Sequence, residues 1–232
     1  MSIPSRAARK SPAPEAPEAD AKAAMDQMYR WTRHIYDASR KYYLLGRDVL
    51  IREIKPAPGE VVCEAGCGTA RNLRKLAPRY PEARFVGLDA SDEMLKTARN
   101  ILKQRGLSDK VQVEQGFAQS FDPVTLFGLS KPLDKIVFSY ALSIIPPWRE
   151  SLDHALALLR GSGEIHIVDF GGQDGLPGPF RAFLFWWLKK FHVFHKPEIL
   201  NYLRRLEAEK RGTLAYTPLY KGYAYYAVFR KN

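Results

Sequence analysis

Short apolar runs alternate with amphipathic stretches of helix length along most of this chain. Residues 61–63, 85–88, 111–115, 136–139 and 164–168 read as strands. Between them, 71–80, 92–105 and 148–160 read as helices, the last two closed by Gly106 and Gly161. This alternation predicts an α/β fold, a doubly wound and mostly parallel sheet, because parallel neighbours need a crossover helix and the helices cover both faces. Two more strands, 213–216 and 224–229, are rich in Tyr and Val. Upstream, 25–54 has a helical pattern, with Tyr29, Ile35 and Tyr36 among its apolar positions and Pro56 and Pro58 beyond its end. Residues 1–24 are dominated by Ala, Pro and Glu and predict a disordered arm. The expected organisation is one domain over 25–232: a helical lid (25–55), a core (56–175) and a basic segment (176–232).

Charge divides the chain more sharply than hydropathy does. Net charge is +11 over 232 residues. Residues 1–55 carry +4, 56–175 carry −1, and 176–232 carry +8, from 11 Lys/Arg against 3 Asp/Glu. A neutral middle beside a basic segment points to an anionic surface as partner, a membrane or a nucleic acid. The apolar run 182–188 has seven residues, well short of a membrane span. Arg6, Arg9 and Lys10 are not followed by an apolar stretch, so no secretory signal is expected. The two cysteines, Cys63 and Cys67, do not make a disulfide scaffold or a four-ligand zinc site. They suit small packing positions in a reducing, cytoplasmic setting, and no metal is expected.

The chemistry concentrates at VVCEAGCGTARN, 61–72, where a strand runs through a glycine turn into a helix. Glycine serves where the chain turns sharply or backbone must approach a ligand. Ala70 replaces the third glycine of the dinucleotide fingerprint. Asp89 ends the next strand, 21 residues beyond Gly68, where a carboxylate can accept from both ribose hydroxyls. No Lys follows the turn as in a triphosphate-binding loop. Glu64 at the strand tip would repel a pyrophosphate and suits a cationic ligand such as S-adenosylmethionine, which carries a sulfonium and an ammonium.

On EAGCGTA and GLDAS the chain resembles the class I S-adenosylmethionine-dependent methyltransferases. That resemblance implies a seven-stranded sheet with a reversed last strand. It implies that Glu64, Gly66 and Gly68 line the methionine end, that Asp89 holds the ribose, and that Ala90 and Met94 pack near the adenine. Phe117, Ala118 and Gln119 match the adenine-contacting loop, although the family often has Asp where Phe117 stands. The stretches MYRWTRHIYDASRKYYLLGRD (28–48), SYALSIIPPW (139–148) and IHIVDFGGQDGLP (165–177) resemble bacterial diacylglycerylhomoserine N-methyltransferases, which trimethylate the head group of betaine lipids. Quinone methyltransferases share the core and less of the flanks.

The narrower resemblance places the acceptor between the lid and the end of the fourth strand. Tyr36 and Tyr140 are the candidates to orient the amine, with Ser139 beside the cofactor. Arg40, Arg47 and Tyr42 are the candidates for the head group, because guanidinium binds carboxylate in a fork. The expected activity is N-methylation of a lipid amine by a cytoplasmic protein on the inner membrane face. The alternatives are a phosphatidylethanolamine or quinone methyltransferase, a nucleic-acid-binding protein, and a cofactor-binding protein without turnover. The aromatics of the basic segment favour lipid over nucleic acid; oligomeric state is not readable.

Phe180, Phe183, Leu184, Trp187, Phe191 and Phe194 repeat at helical spacing and form one apolar stripe, too short to span a bilayer but suited to its surface. We expect Phe183→Glu with Trp187→Glu to abolish flotation with anionic liposomes while circular dichroism stays unchanged. Equal flotation of the two proteins would place the anchor elsewhere.

Overall fold

The computed structural model describes residues 44–179, 186 and 195–232. Its elements run α1 (Arg47–Glu53), β1 (Val61–Ala65), α2 (Arg71–Leu76), β2 (Arg84–Asp89), α3 (Asp92–Gln104), β3 (Val111–Gln115), α4 (Pro123–Phe127), β4 (Leu133–Ser139), α5 (Trp148–Leu158), β5 (Leu159–Phe170), α6 (Pro197–Ala208), β6 (Gly212–Leu219) and β7 (Ala224–Lys231). The strands form one seven-stranded sheet in the order β3-β2-β1-β4-β5-β7-β6. Strands β3, β2, β1, β4 and β5 pair in parallel, and β7 inserts antiparallel between β5 and β6. This is the class I methyltransferase form of the Rossmann-like α/β fold.

Alternation along each strand sends side chains to two cores. One face carries Leu50, Ile51 and Ile54 of α1, Leu73 and Leu76 of α2, and Leu95, Ala98 and Leu102 of α3. The other carries Phe127 of α4, Leu152 and Leu156 of α5, and Ile199, Leu203 and Leu206 of α6. Strands β1, β4 and β5 are buried on both faces, which explains their nearly continuous apolar runs.

Several predicted boundaries shift. The helix read over 148–160 ends at Leu158, because Leu159 already pairs with Leu133 of β4 and Arg160 is drawn to Asp134 and Glu60. The helix read over 71–80 stops at Leu76. Helices α4 and α6 were not anticipated. The first is five residues long with Pro at its start, capped by Asp122, whose carboxylate accepts from the Val124 and Thr125 amides. The arm, the lid as far as residue 43 and all six residues of the 180–194 stripe lie outside the described residues; Trp186, which is not part of the stripe, is exposed.

At the amino end of the sheet, polar groups are closed into pairs. Glu164 of β5 accepts from Lys135, from Arg230 at 2.5 and 3.0 Å, and from His166 at 3.1 Å. His166 in turn meets the Tyr226 hydroxyl at 2.6 Å. Burial keeps its imidazole neutral, with Glu164 pulling the other way. These hydrogen bonds, first among them that of His166, hold the Glu164 carboxyl well below the usual carboxylate range. Its contribution is therefore present at neutral pH and is lost as acidification protonates it. Glu164→Gln leaves the buried Lys135 with only the more distant Glu60, at 3.8 Å. We expect a loss of about 3 kcal/mol in urea denaturation at pH 7, shrinking towards acid pH.

Candidate active site

The carboxyl ends of β1, β2 and β4 converge on the glycine turn. Strand β1 delivers Glu64 and Ala65 to it, and the Gly66 and Cys67 amides donate to the Leu88 carbonyl at 2.8 and 2.9 Å, so β2 carries the turn from below. Gly66 has φ +75°, and a Cβ there would lie 2.9 Å from the Ala141 Cβ, so the loops after β1 and β4 meet at that point. Beneath the turn, a Cβ on Gly87 would come within 2.7 Å of Leu73 and 2.9 Å of Cys67. Ala70 keeps the left-handed geometry of the glycine it replaces, φ 55° and ψ 33°, with its methyl buried in the core ahead of α2.

Three buried polar side chains give the turn its chemistry. Asp89 accepts the Gly68 amide on one oxygen at 2.8 Å and the Ser91 amide on the other at 2.9 Å. Both Asp89 oxygens are thus turned to backbone at the glycine turn and the start of the next helix. Glu64 is 2 % exposed. One of its oxygens accepts from Asn72 of α2 at 2.6 Å, and the other is buried with no hydrogen-bond partner. Burial raises its pKa to about 8, against the opposing effects of the Asn72 hydrogen bond and the Arg47 charge. Burial, with Asp89 and Glu64 adding to it, also pushes the Cys67 thiol well up, and Cys63 follows for the same first reason.

The remaining sequence-predicted residues border this centre. The Ala90 carbonyl accepts from Gln115 at 3.1 Å, and the Met94 amide donates to the Ser91 hydroxyl that caps α3. Phe117, Ala118 and Gln119 form a turn in which the Phe117 carbonyl accepts from Ser120 and Phe121, both at 3.1 Å. Ala118 is buried while Phe117 and Gln119 stay partly open. The Ser139 hydroxyl is buried without a partner. Tyr140 is 3 % exposed, packs edge-on to Phe170, and donates its hydroxyl to the Leu45 carbonyl, which engages the group considered above for the amine. Arg47 projects from α1, its Nε donating to the Leu44 carbonyl at 3.2 Å and its charge acting on both Glu64 and Tyr140. Tyr36, Arg40 and Tyr42 lie outside the described residues.

Two groups were missed by sequence reasoning. Asn72 lies within the quoted motif, as the second residue of α2, and only the fold shows it gripping Glu64. Asp169 ends β5 much as Asp89 ends β2, and its position at a strand tip is the signal that could have found it. Among the described residues no cluster suited to a metal ion occurs.

The half-used Glu64 carboxylate, the close backbone at Gly66 and the strand-end carboxylate of Asp89 fit S-adenosylmethionine. Glu64 would face its ammonium and Asp89 its ribose. The raised pKa of Glu64 sets the linkage: the folded, unliganded protein holds a proton there that the unfolded chain gives up from about pH 4.5. Stability without ligand therefore falls as pH rises, and a bound cation expels the proton. We expect calorimetry near pH 7 to show proton release on binding, with affinity rising towards pH 8. Glu64→Gln should flatten the stability profile between pH 6 and 8 and weaken binding by about ten- to a hundredfold.

Residues 63–165 match the family model described as a methyltransferase domain. A trans-aconitate 2-methyltransferase of Azoarcus sp. (strain BH72) is 31% identical over 144 residues, 59% of this chain and 52% of that protein. A phosphatidylethanolamine N-methyltransferase of Cereibacter sphaeroides is 29% identical over 127 residues, 54% and 57%. The matches thus span about half the length of these relatives. Among solved structures, a plantazolicin methyltransferase in complex with a monoazolic desmethylPZN analog and SAH superposes with a TM-score of 0.64 at 16% identity, covering 93% of this chain and 97% of that one. At that identity the likeness shows the fold alone. Over residues 63–165, less than half of its length, the chain thus resembles a methyltransferase domain, and its sheet has the class I methyltransferase fold.

Proposed function

We propose that the protein is an N-methyltransferase that trimethylates the head-group amine of diacylglycerylhomoserine, forming a betaine lipid at the inner face of a membrane. The observation that carries methyl transfer is the buried Glu64 carboxylate, bonded on one side to Asn72 and open on the other beside the glycine turn. S-adenosylmethionine supplies a methyl group on a cationic sulfur. The chain's residues hold and orient. Glu64 and Asp89 fix the two ends of the cofactor, and Ala90, Met94 and the 117–119 turn border its base. The approach of Gly66 to Ala141 narrows the site against water. Tyr140 grips Leu45 and so steadies Arg47, which with Arg40 reads the head-group carboxylate. Tyr36 and Tyr42 complete the acceptor side.

The lipid amine draws support from the flanking stretches 28–48, 139–148 and 165–177, from the likeness to a phosphatidylethanolamine N-methyltransferase, and from the +8 of 176–232. Each basic residue near an anionic leaflet contributes about 1 kcal/mol. None of the described helices is long and apolar enough to cross a membrane, which suits binding at the surface. A second reading, methylation of a carboxylate on a small polyacid, is favoured by the likeness to a trans-aconitate 2-methyltransferase.

Incubation with methyl-labelled cofactor separates these readings. The panel is diacylglycerylhomoserine, phosphatidylethanolamine, a demethylated quinone and trans-aconitate, with mass spectrometry of the products. We expect label in the homoserine lipid, with mono-, di- and trimethylated species in succession. Label confined to another acceptor would reassign the substrate, and no label in any would reject methyl transfer to this panel.

A further inference from the structure

Buried polar atoms without a partner cluster in one part of the molecule. Among the described residues they belong to Glu64, Ser139, Ser143, Gln173 and Tyr225. All stand at or just past the carboxyl ends of β1, β4 and β5, or at the start of β7 alongside. Glu64 belongs to the cofactor side. Two of the others flank Asp169, the penultimate residue of β5.

Asp169 is 1 % exposed. Its two oxygens accept one backbone amide each, from Ser143 at 3.0 Å and from Phe170 at 2.8 Å. An ionised carboxylate has room for about four donors, so about half its capacity is unused. Tyr225 lies directly opposite Asp169 in the β5–β7 ladder and therefore on the same face of the sheet, 3 % exposed and with its hydroxyl unpartnered. Burial raises the Asp169 pKa to about 6, against the opposing pull of the nearby Ser143 side chain; Ser143 is itself 4 % exposed, and its hydroxyl reaches no partner at hydrogen-bond geometry. The Lys196 ammonium also favours ionisation, but its hydrogen bonds go to the Leu142 and Ile145 carbonyls, both at 3.1 Å. It thereby pins the turn that carries Ser143.

A carboxylate and two hydroxyls left incomplete in the interior cost free energy unless a donor completes them. A group with several N–H bonds and a positive charge matches both their geometry and their sign. The position fits as well. The glycine turn and Asp89 serve the β1–β2 side of the edge, Asp169 and Tyr225 lie on the β5–β7 side, and β4 runs between them. The crevice opens where β1 and β4 lead away in opposite directions, the usual ligand site of such sheets. We propose that Asp169, Ser143 and Tyr225 form the subsite that holds the amine of the methyl acceptor. This rests on the methyl-transfer reading above. Each transfer forms an N–CH3 bond as the S–CH3 bond of the donor breaks, leaves S-adenosylhomocysteine as the neutral thioether and passes the displaced N–H proton to water, so the amine loses a hydrogen bond to the subsite at every step. A trimethylated product has none left, and the subsite favours substrate over product.

The test is calorimetric titration of the full chain, with and without S-adenosylhomocysteine. The probes are dihexanoylglycerylhomoserine, its desamino analogue, its trimethylated product and dihexanoyl phosphatidylethanolamine. We expect the homoserine probe to bind at least tenfold more tightly than the desamino and trimethylated compounds. Tyr225→Phe and Ser143→Ala should each weaken it severalfold and Asp169→Asn more than tenfold, with S-adenosylhomocysteine affinity unchanged. Removing an unpartnered hydroxyl should leave the melting temperature equal or higher, so Tyr225→Phe gives a reading even if Asp169→Asn fails to fold. Tighter binding of the ethanolamine probe, lost in the same variants, would keep the subsite and change the head group. Equal binding of amine and desamino probes, or undiminished binding by Tyr225→Phe, would overturn the inference. Failure to bind S-adenosylhomocysteine would instead count against the methyl-transfer reading.

Discussion

Gly68 offers its amide hydrogen to Asp89 across 21 positions of sequence, and the ligand-facing edge is organised around that bond. The same carboxylate takes the Ser91 amide, and the Ser91 hydroxyl then caps α3. One side chain thus fixes the glycine turn, the end of β2 and the start of the next helix relative to one another. The two positive-φ glycines of the turn, Gly66 and Gly68, contribute no side chain to the core, so this hydrogen bond holds them beside the buried Cys67 and Ala70. Glutamate would reach too far, and asparagine would set an N–H against one of two N–H donors. The chemistry that suits a ribose is for this reason also the chemistry that keeps the pocket in register.

The two ends of the sheet treat polar groups in opposite ways. At the amino end, Glu60, Asp134, Lys135, Arg160, Glu164 and Arg230 are linked into ion pairs, and the Val61 amide is taken up by Asp134. At the carboxyl end, buried oxygens of Glu64, Ser139, Ser143 and Tyr225 stand without partners. Completed networks rigidify a fold, whereas incomplete ones keep capacity for something that arrives. Stability and recognition are in this way assigned to opposite rims of the same strands.

Much of this was legible in the chain itself. The edge strand at 111–115 falls where predicted because its burial alternates, and β2 and β7, which differ by a few residues at their ends, are legible from nearly continuous burial. Glu64 and Asp89 are readable because both lie within a local strand–turn–helix pattern. The Glu64–Asn72 contact, the opposition of Asp169 to Tyr225 and the reach of Tyr140 to Leu45 are not. They join residues 8, 56 and 95 positions apart, and no periodicity encodes such pairings. Helix α6 was overlooked although Ile199, Tyr202, Leu203 and Leu206 have helical spacing, since the aromatic stripe just before it drew the reading upstream. The end of α5 was misplaced because Gly161 is a good stop signal, while the pull of β4 on Leu159 is tertiary.

The cysteine within the glycine turn has a consequence for the life of the protein in an oxidising cell. A thiol is attacked by peroxide or alkylating agents as its thiolate. Burial suppresses that form at Cys67, and the neighbouring Asp89 carboxylate adds to the effect. The burial that shapes the pocket therefore also passivates its sulfur. The turn carries a thiol at its centre without becoming a redox liability.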